Sequence, residues 1–284
     1  MKINYLVATI NNFNIKKNIF ISLSKQTNLN FKLIIVHQGD SYFNKKIVSG
    51  LDFKYIRLKK YGLSFARNYG LEYCDDGHVV IMDDDSCIDI NFNENIHNLI
   101  LNEKNKIFSG LIIDPISNKL LSRSIRKNKT SIIQIEHYRY FMSSALVIPL
   151  KLLNRYKFDE NFGLGSTYGS AEETDLFFKL IRNEKIFFEP SIVVYHDSDF
   201  NKISSFTIKQ SYLRGFNYGK GFGAVLKKHF LLSKKFFFMS EFIKSTIVYF
   251  FVILHDLKFF NIKIVFRNIG SLLGRFYGFF KYKK

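Results

Sequence analysis

The stretch GLSFARNYGLEYCDDGHVVIMDDD, residues 62–85, holds the strongest indication of the fold class. Leu63–Cys74 has the spacing of a helix, and Val79–Met82 is an apolar run typical of a buried strand. Three carboxylates, Asp83–Asp85, follow that strand directly. Because like charges this close repel each other, and burial makes their ionised forms more costly, the three acids either lie in water or surround a cation.

Short apolar strands alternate with helical patterns through the first half of the chain, which is typical of an α/β fold with a largely parallel sheet. Ligands of open α/β sheets bind outside the carboxyl ends of the strands. Polar clusters follow three of the strands, at Thr9–Asn11, His37–Asp40 and Asp83–Asp85, so we predict one common site there. The other predicted strands are Ile3–Thr9, Lys32–His37, Lys54–Leu58, Lys106–Ile113, Ala145–Pro149 and Ile186–His196.

The net charge of +18 is distributed unevenly. Residues 201–284 contain 16 Lys and Arg but only two acids, Glu241 and Asp256, whereas the first 200 residues contain 26 Lys and Arg and 22 acids. The same last segment holds half of the 32 phenylalanines. A chain of 284 residues, 47% of them hydrophobic, can form one large domain. The charge pattern adds a basic, aromatic appendage to that domain.

Two features of the sequence, the cysteines and the first residues of the chain, bear on the cellular location. Cys74 and Cys87 provide neither a disulfide framework nor a cysteine-based metal site, which favours a reducing compartment. The start, MKINYLVATINNF, has one lysine and no small-residue cleavage site, so we interpret it as a first strand and not as a signal peptide. The sequence therefore predicts a cytoplasmic protein.

Three interpretations of Asp83–Asp85 are open at this point. The acids could form a solvated turn or a helix N-cap, positions that Asp favours. They could begin a calcium loop, but Cys87 and Ile88 occupy positions where such a loop needs an oxygen ligand and a glycine, so we reject this interpretation. They could instead form an Asp-x-Asp pair that shares a divalent cation with a diphosphate, since Mg²⁺ commonly takes one or two carboxylates plus substrate phosphates.

Five segments in order resemble the inverting nucleotide-sugar glycosyltransferases of family 2, which have the GT-A fold. The first is VATINNF with the following SLSKQT and FKLIIVHQGDS, and the second is the stretch of residues 62–85. The others are FDENFGLG, similar to the family's acceptor loop, GSAEETDLFFKLI, similar to its acidic catalytic segment, and IFFEPSIVVYH, similar to its terminal histidine. The resemblance covers residues 3–223 and implies a mixed sheet flanked by helices.

The resemblance also implies roles for single residues. Thr9 and Asp40 correspond to positions that hold the nucleobase and ribose, although the order HQGD differs from the two adjacent acids usual in the family. Arg67 would approach the nucleotide, and Asp84 would contact the donor sugar. The metal ligands for Mn²⁺ or Mg²⁺ would be Asp85, Asp83 and His196, with Asp83 also facing the ribose.

Inversion at the anomeric carbon requires a base that removes the proton of the attacking hydroxyl. The segment AEETD, residues 171–175, contains the candidates, where the family commonly has Glu-Asp. Glu173 matches the catalytic Asp, so it is our first choice, with Glu172 second and Asp175 third. The same acids would also suit the first turn of a helix, where negative charge is favourable.

We expect residues 1–228 to form the glycosyltransferase domain and residues 229–284 to form a helical extension. The apolar run Ser245–Leu254 is too short to cross a bilayer, and its continuation to Phe236 includes two charges. Interleaved Phe, Tyr and Lys suit a helix lying on an anionic membrane surface, at the cytoplasmic face, near a glycan or lipid-linked acceptor of surface-polysaccharide synthesis. The alternative is a helical hairpin packed on the catalytic domain.

Three other functions are alternatives to a transferase that uses a nucleoside-diphosphate-sugar donor. The charge of +18 suggests a nucleic-acid binder, but the body of the chain is nearly neutral and has no RNA-binding signature, so we expect no nucleic acid. A non-catalytic binding module would lack the metal and base carboxylates. A nucleotidyltransferase would have a Gly-rich phosphate loop after the first strand, where this chain has TINNF.

Overall fold

The computed structural model describes residues 2–10, 18–40, 43–121, 131–197, 203–259 and 261–283. The chain divides into two compact units, residues 1–158 with 176–197, and residues 159–175 with 198–284. The boundary expected from composition, at residue 228, lies inside a helix of the second unit. Composition changes near residue 201, but the second unit also includes residues 159–175, which composition does not distinguish.

The first unit is built from nine strands and five helices in the described part of the chain. The strands are β1 Lys2–Ile10, β2 Lys32–Gln38, β3 Phe53–Leu58, β4 Gly77–Asp83, β5 Ser86–Ile88, β6 Ile107–Ile113, β7 Ser131–Ile132, β8 Leu146–Pro149 and β9 Ile186–His196. The helices are α1 Asn18–Ser24, α2 Leu63–Leu71, α3 Phe92–Asn102, α4 Leu150–Arg155 and α5 Glu172–Leu180, of which α5 begins in the second unit.

The strands form one mixed sheet in the order β3-β2-β1-β4-β8-β6-β9-β5, with β7 paired to β9. The pairs β1–β2, β1–β4, β2–β3 and β6–β9 are parallel, and the remaining pairs are antiparallel. The expected GT-A-type mixed sheet is therefore present, although the largely parallel sheet inferred from the strand pattern is wrong beyond β4. There β8 runs antiparallel and reverses the direction of the sheet.

The central strands are largely apolar because both of their faces are buried in the core. Every residue of β1 from Ile3 to Thr9 is buried, because helices cover both faces of the sheet. Tyr5 packs edge-on against Phe31 at 4.9 Å between ring centroids. The Tyr5 hydroxyl donates to Asn93 at 3.0 Å, which satisfies its polar end inside the core. The sheet is thus a rigid support for the residues at its carboxyl edge.

The second unit contains three long helices, α6 Ile208–Ser233, α7 Phe236–Lys258 and α8 Ile262–Lys281. Glycines line the face of α6 that meets α8, and glycines line the facing side of α8. A Cβ atom at any of them would overlap a backbone carbonyl of the other helix, so the two backbones are in direct contact. These six residues, the glycine faces, are Gly215, Gly219 and Gly223 on α6 and Gly270, Gly274 and Gly278 on α8.

Helix α7 presents a broad apolar surface to solvent. It is 23 residues long, about 34 Å at 1.5 Å per residue, and within the described residues it is the one helix long and apolar enough to cross a membrane. Buried helices of soluble proteins also pass this test of length and composition. The helix is longer than the run Ser245–Leu254 because it also includes the turns that contain Glu241 and Lys244. We name its exposed residues Phe236, Ile243, Ile247, Val248, Phe250, Phe251, Val252, Leu254 and Leu257 the α7 face.

Candidate active site

The carboxyl ends of the central strands meet at one edge of the sheet. Thr9 at the end of β1 is in register with His37 of β2, and Ala8 is in register with Asp83 at the end of β4. The antiparallel pair β5–β9 brings Ser86 beside His196. All three predicted polar clusters therefore begin at the common edge, although Asn11 of the first cluster lies outside the described residues.

Asp83 is fixed by groups of the protein itself. The Arg67 guanidinium donates to Asp83 Oδ1 at 3.0 Å, and its side chain is only 1% exposed. The Ser144 hydroxyl donates to Asp83 Oδ2 at 2.7 Å, and the Ser143 hydroxyl lies 3.4 Å from the same oxygen. Arg67 also stacks on the Phe158 ring at 5.4 Å. Arg67 thus compensates the negative charge of Asp83 beneath the edge of the sheet.

The two other acids of the triplet have different partners. Asp84 accepts a hydrogen bond from the Thr9 hydroxyl, which joins the ends of β1 and β4. Asp85 Oδ1 lies 3.0 Å from His196 Nε2, and His196 Nδ1 lies 2.8 Å from the backbone oxygen of Asp197. If His196 is neutral, a proton on Nδ1 would leave Nε2 able to accept or to bind a cation. Three adjacent aspartates are tolerated because each carboxylate faces a separate partner.

The predicted metal set is only partly assembled. Among the described residues, no three His, Cys, Asp or Glu side chains come together in a way that could hold a metal ion. Asp85 and His196 form a pair of suitable ligand types, with side chains 40% and 20% exposed. Asp83 faces Arg67 through Oδ1 and the two serine hydroxyls through Oδ2.

Asp40 and Gln38 lie at the end of β2. The Asp40 side chain is 99% exposed and lies 3.4 Å from an Arg57 nitrogen, while Arg57 Nε donates to the Gly39 carbonyl. Gln38 is completely buried, and neither amide atom has a hydrogen-bond partner in the described part of the chain. Sequence reasoning missed Gln38 and the serine pair. Gln38 stands in the quoted segment HQGD, but the contact of Ser144 with Asp83 spans 61 positions and leaves no local pattern.

In the second unit, Glu172 and Glu173 occupy the first turn of α5, as the acidic segment predicts. Glu172 is 6% exposed, and Glu173 is half-buried. Asp175 is completely buried, with Lys228 Nζ at 2.6 Å and His229 Nε2 at 2.8 Å from its Oδ1. Because Asp175 is paired and inaccessible, the structure favours the two glutamates over Asp175 as groups that could reach a substrate.

The chain reaches α5 through a tight loop. Gly163 and Gly165 have φ values of 100° and 78°, a backbone region that favours glycine, and Ala171, directly before α5, has φ 68°. The Tyr168 N–H donates to the Asn161 carbonyl at 2.8 Å, and the Ser166 hydroxyl donates to the Gly163 carbonyl at 2.6 Å. The glycines of this segment therefore serve defined turns.

Solved structures of glycosyltransferases have a similar fold. S. aureus TarS 1–349 aligns with a TM-score of 0.57 at 18% identity, over 82% of this chain and 73% of that chain. The same protein in complex with UDP-GlcNAc gives 0.54 at 18% identity, over 82% and 74%. Mannosyltransferase PcManGT from Pyrobaculum calidifontis, in complex with GDP-Man and Mn²⁺, gives 0.60 at 10% identity, over 96% and 86%. The molecule thus has the GT-A fold of these enzymes.

Residues 6–171 match the model of glycosyl transferase family 2, more than half of the chain, and the chain belongs to this family. A comparison with curated protein sequences gives no match. The predicted family, fold and enzyme class are confirmed. The roles of single residues stay predictions.

Proposed function

We propose that the chain is an inverting glycosyltransferase. It moves a sugar from a nucleoside diphosphate to a hydroxyl of a glycan or lipid-linked acceptor in surface-polysaccharide synthesis, and it depends on Mn²⁺ or Mg²⁺. The observation that carries the proposal is the Asp83–Asp85 turn at the carboxyl edge of the sheet, in a chain of family 2. Relatives in fold bind UDP, UDP-GlcNAc and GDP-Man, which supports a nucleotide-sugar donor.

The donor would bind along the ends of β1, β2 and β4. Thr9, Asp40 and Arg67 are the predicted nucleotide contacts, with Asp84 toward the sugar. In this proposal Arg67 acts mainly by orienting Asp83, since its guanidinium is buried against that carboxylate. Asp83 keeps 28% of its side-chain surface exposed and can accept hydrogen bonds from the ribose hydroxyls. The buried amide of Gln38 has a donor and an acceptor to offer a nucleobase.

Asp85 and His196 would hold the cation. A carboxylate oxygen and an imidazole nitrogen 3.0 Å apart fit a divalent ion, with diphosphate oxygens completing its coordination. The bound cation would stabilise the negative charge that develops on the leaving nucleoside diphosphate. Asp85 and His196 are held in place by the β5–β9 pairing, which keeps the two ligands together.

Glu173 would act as the base that removes the proton from the acceptor hydroxyl. It lies half-buried in the first turn of α5, where the helix dipole favours the ionised carboxylate. Glu172 is more deeply buried and is the second candidate. A single displacement by a hydroxyl activated in this way inverts the anomeric configuration.

We also propose that the α7 face rests on the anionic, cytoplasmic surface of a membrane. The exposed phenylalanines and aliphatic residues supply apolar area, and the exposed Lys244 and Lys258 supply positive charge on the same helix. This position would bring the enzyme to a lipid-linked acceptor. Flotation with lipid vesicles tests this position of the α7 face.

A thermal-shift screen of UDP-, dTDP- and GDP-sugars, with and without Mn²⁺, tests the donor site. We expect at least one nucleotide sugar to raise the melting temperature by several degrees, and Mn²⁺ to enlarge the shift. Asp85→Ala should lose the Mn²⁺-dependent part, whereas Asp76→Ala, an exposed acid of the same unit, should keep it. A screen without any stabilising donor, or Asp85→Ala with undiminished Mn²⁺ dependence, contradicts the proposed site.

A second experiment tests the base. Glu173→Gln should bind the stabilising donor normally and lose transfer by about a hundredfold or more, since general bases contribute 10²–10⁴ in rate. Glu160→Gln, an exposed glutamate of the same unit, is the matched control and should transfer normally. Near wild-type transfer by Glu173→Gln would assign the base to another residue, with Glu172→Gln the next variant to measure.

A further inference from the structure

We infer that Lys228 and His229 of α6 are positioning residues for the acidic turn that begins α5. The inference deepens the proposed function, because Glu173 takes its role as the base from that function. Lys228 and His229 are adjacent in sequence and fully or almost fully buried, and neither belongs to the segment of residues 171–175 that the sequence singled out. Their contacts with Asp175 hold that segment in place.

Asp175 is the point of attachment. Its Oδ1 lies 2.6 Å from Lys228 Nζ and 2.8 Å from His229 Nε2, and all three side chains are between 0 and 10% exposed. The Asp175 backbone N–H also donates to the Ala171 carbonyl at 2.9 Å, which closes the turn that contains Glu172 and Glu173. A carboxylate held by two charge-assisted contacts in a buried place has little freedom, so the turn takes one orientation.

Lys228 also fixes the other end of the loop. Its Nζ lies 2.7 Å from Asp159 Oδ2 and 5.1 Å from the centre of the Phe162 ring. One ammonium group therefore bridges Asp159, where the loop begins, and Asp175, where it ends. Burial alone would raise the pKa of Asp159, but the hydrogen bonds from Lys228 and the Asn161 N–H outweigh it and lower that pKa.

A third contact lies between these two ends. The Ser170 hydroxyl lies 3.2 Å and 3.1 Å from the carbonyl oxygens of Asn217 and Tyr218 on α6. Gly221 passes so close to Ser170 that any Cβ there would overlap it. Asp159, Ser170 and Asp175 thus attach the segment of residues 159–175 to α6 at three points. A displacement of about 1 Å in a base can cost a hundredfold in rate, which makes such attachment relevant to transfer.

His229→Phe tests the inference in the full chain, and His229→Gln is its conservative partner. Phe keeps a ring beside Phe238 but has no donor for Asp175, whereas Gln keeps a donor nitrogen. Amide hydrogen exchange should be on the order of tenfold faster at residues 171–176 in His229→Phe, and within about twofold of wild type in His229→Gln. Unchanged exchange in a His229→Phe protein that folds overturns the inference.

Lys228→Gln is the second variant, and Lys227→Gln, at the neighbouring position, is its control. We expect Lys228→Gln, but not Lys227→Gln, to speed exchange at both ends of the segment of residues 159–175. A Lys228→Gln protein that keeps wild-type protection at both ends contradicts the bridging role. This arm needs no substrate, so it tests the positioning even where a donor is not turned over.

Nucleotide release from UDP-GlcNAc and from GDP-mannose, with Mn²⁺, separates positioning from general damage. His229→Phe should lower kcat on the order of 10- to 100-fold and leave donor affinity within about twofold of wild type. In a Glu173→Gln background the same change should cost little more, because the base it positions is gone. An equal loss in both backgrounds overturns the inference, whereas undiminished release by Glu173→Gln contradicts the assignment of Glu173 as the base and leaves the exchange result standing.

Discussion

Gln38 carries a buried polar side chain that is left unsatisfied within the described part of the chain. Its amide is completely buried at the end of β2 and makes no hydrogen bond within the described residues. An unpaired buried polar group costs about 1–3 kcal/mol, and a ligand that pairs it would recover part of this free energy. The natural partner is the nucleobase of the donor, which we place at the same edge of the sheet.

Gln38→Met should therefore have opposite effects on stability and on binding. We expect the free energy of unfolding to rise by about 1 kcal/mol in urea titrations, because Met fills a similar volume without the amide. Affinity for the stabilising nucleotide should fall by about tenfold, which corresponds to one lost hydrogen bond. Gln26→Met is the matched control, since the buried Gln26 amide is fully bonded to Ser22, Asp89 and Asn93, and its loss should destabilise the fold. A destabilised Gln38→Met protein would contradict the argument.

The serine pair before β8 gives a second prediction for a single residue. Ser144 donates to Asp83 at 2.7 Å, whereas the neighbouring Ser143 lies 3.4 Å from the same oxygen. Ser144→Ala should weaken donor binding by about five- to tenfold, because Asp83 loses its stronger hydroxyl partner, and Ser143→Ala should change it by less than about twofold. Calorimetric titration of both variants measures the difference. Equal effects would mean that Asp83 is oriented by Arg67 alone.

Among the elements, α6 and α8 depend on the glycine faces for their contact. Alanine is the better helix former by about 1 kcal/mol, so a helix substitution of Gly by Ala would ordinarily stabilise the protein. At Gly274 the added methyl group would overlap the Phe216 carbonyl, and neither backbone can yield without separating the helices. We therefore expect the Gly274→Ala substitution to destabilise the protein.

Gly274→Ala should lower the free energy of unfolding by about 2 kcal/mol, as is typical of overpacking in a closely packed interior. Leu273→Ala, at the neighbouring and half-exposed position, should lower it by less than about 1 kcal/mol. Chemical unfolding monitored by circular dichroism checks both values. A stabilised Gly274→Ala protein would show that the helices are farther apart than the structure has them.

The ion pair of Asp159 with Lys228 predicts a dependence of stability on pH. Because the pKa of Asp159 is lower in the folded chain than in the unfolded chain, the ionised carboxylate stabilises the fold above the unfolded value of about 4. That contribution is lost as the pH falls below this value toward the folded pKa. The difference in unfolding free energy between wild type and Asp159→Asn should be constant from about pH 7 to 5 and shrink below about pH 4. A constant difference down to pH 3 would contradict the assignment.

The elements that sequence could predict are those specified by their own residues. β1, β2 and β4 are buried on both faces, so each is a largely apolar run that is visible without a partner. The three-residue β5 and the two-residue β7 were not predicted, because pairing with β9 and not local propensity makes them strands. The glycines of α6 contact glycines of α8 that lie some 55 residues further along the chain, so local spacing does not identify the contact.

The candidate site likewise has features that the sequence could predict and contacts that it could not. Asp83–Asp85, Arg67, His196 and the two glutamates could be predicted because a family resemblance places them in order along the chain. The structure brings Asp85 next to His196, whereas Asp83 contacts Arg67 and Ser144, and the metal ligands stay a prediction. Contacts between distant segments decide which partner each carboxylate takes, and one sequence does not contain them.

At the scale of the whole molecule, the charge asymmetry and the α7 face predict binding to anionic vesicles. The full chain should float with vesicles of phosphatidylcholine and about one-third phosphatidylglycerol, and weakly with phosphatidylcholine alone. Raising NaCl from about 50 to 500 mM should reduce the bound fraction without abolishing it, since salt screens the charges but not the apolar contact. Binding that is equal for both lipids and insensitive to salt would contradict the proposed surface.

Substitutions on the α7 face sharpen that test better than a deletion, because a cut at residue 229 would pass through α6. Serine at Ile247, Phe250 and Phe251 should release the protein from the vesicles. Serine at three exposed apolar residues of the first unit should leave binding unchanged, and the control set is Ile90, Leu101 and Ile116. Continued flotation of the α7 variant would contradict the α7 face as the membrane-binding surface.

The glycine faces have a consequence for how the enzyme matures. Residues 159–175 leave the ribosome well before Ile262–Lys281, and α6 can make its glycine contact only after α8 has been synthesised. Long-range closure of this kind is slow and exposes apolar surface in the meantime. A nascent chain could thus complete the strands of β1 to β4 while its acidic turn is still unset. Competence for transfer would arrive late, with the final helix, and a partly synthesised chain would bind nucleotide before it could use it.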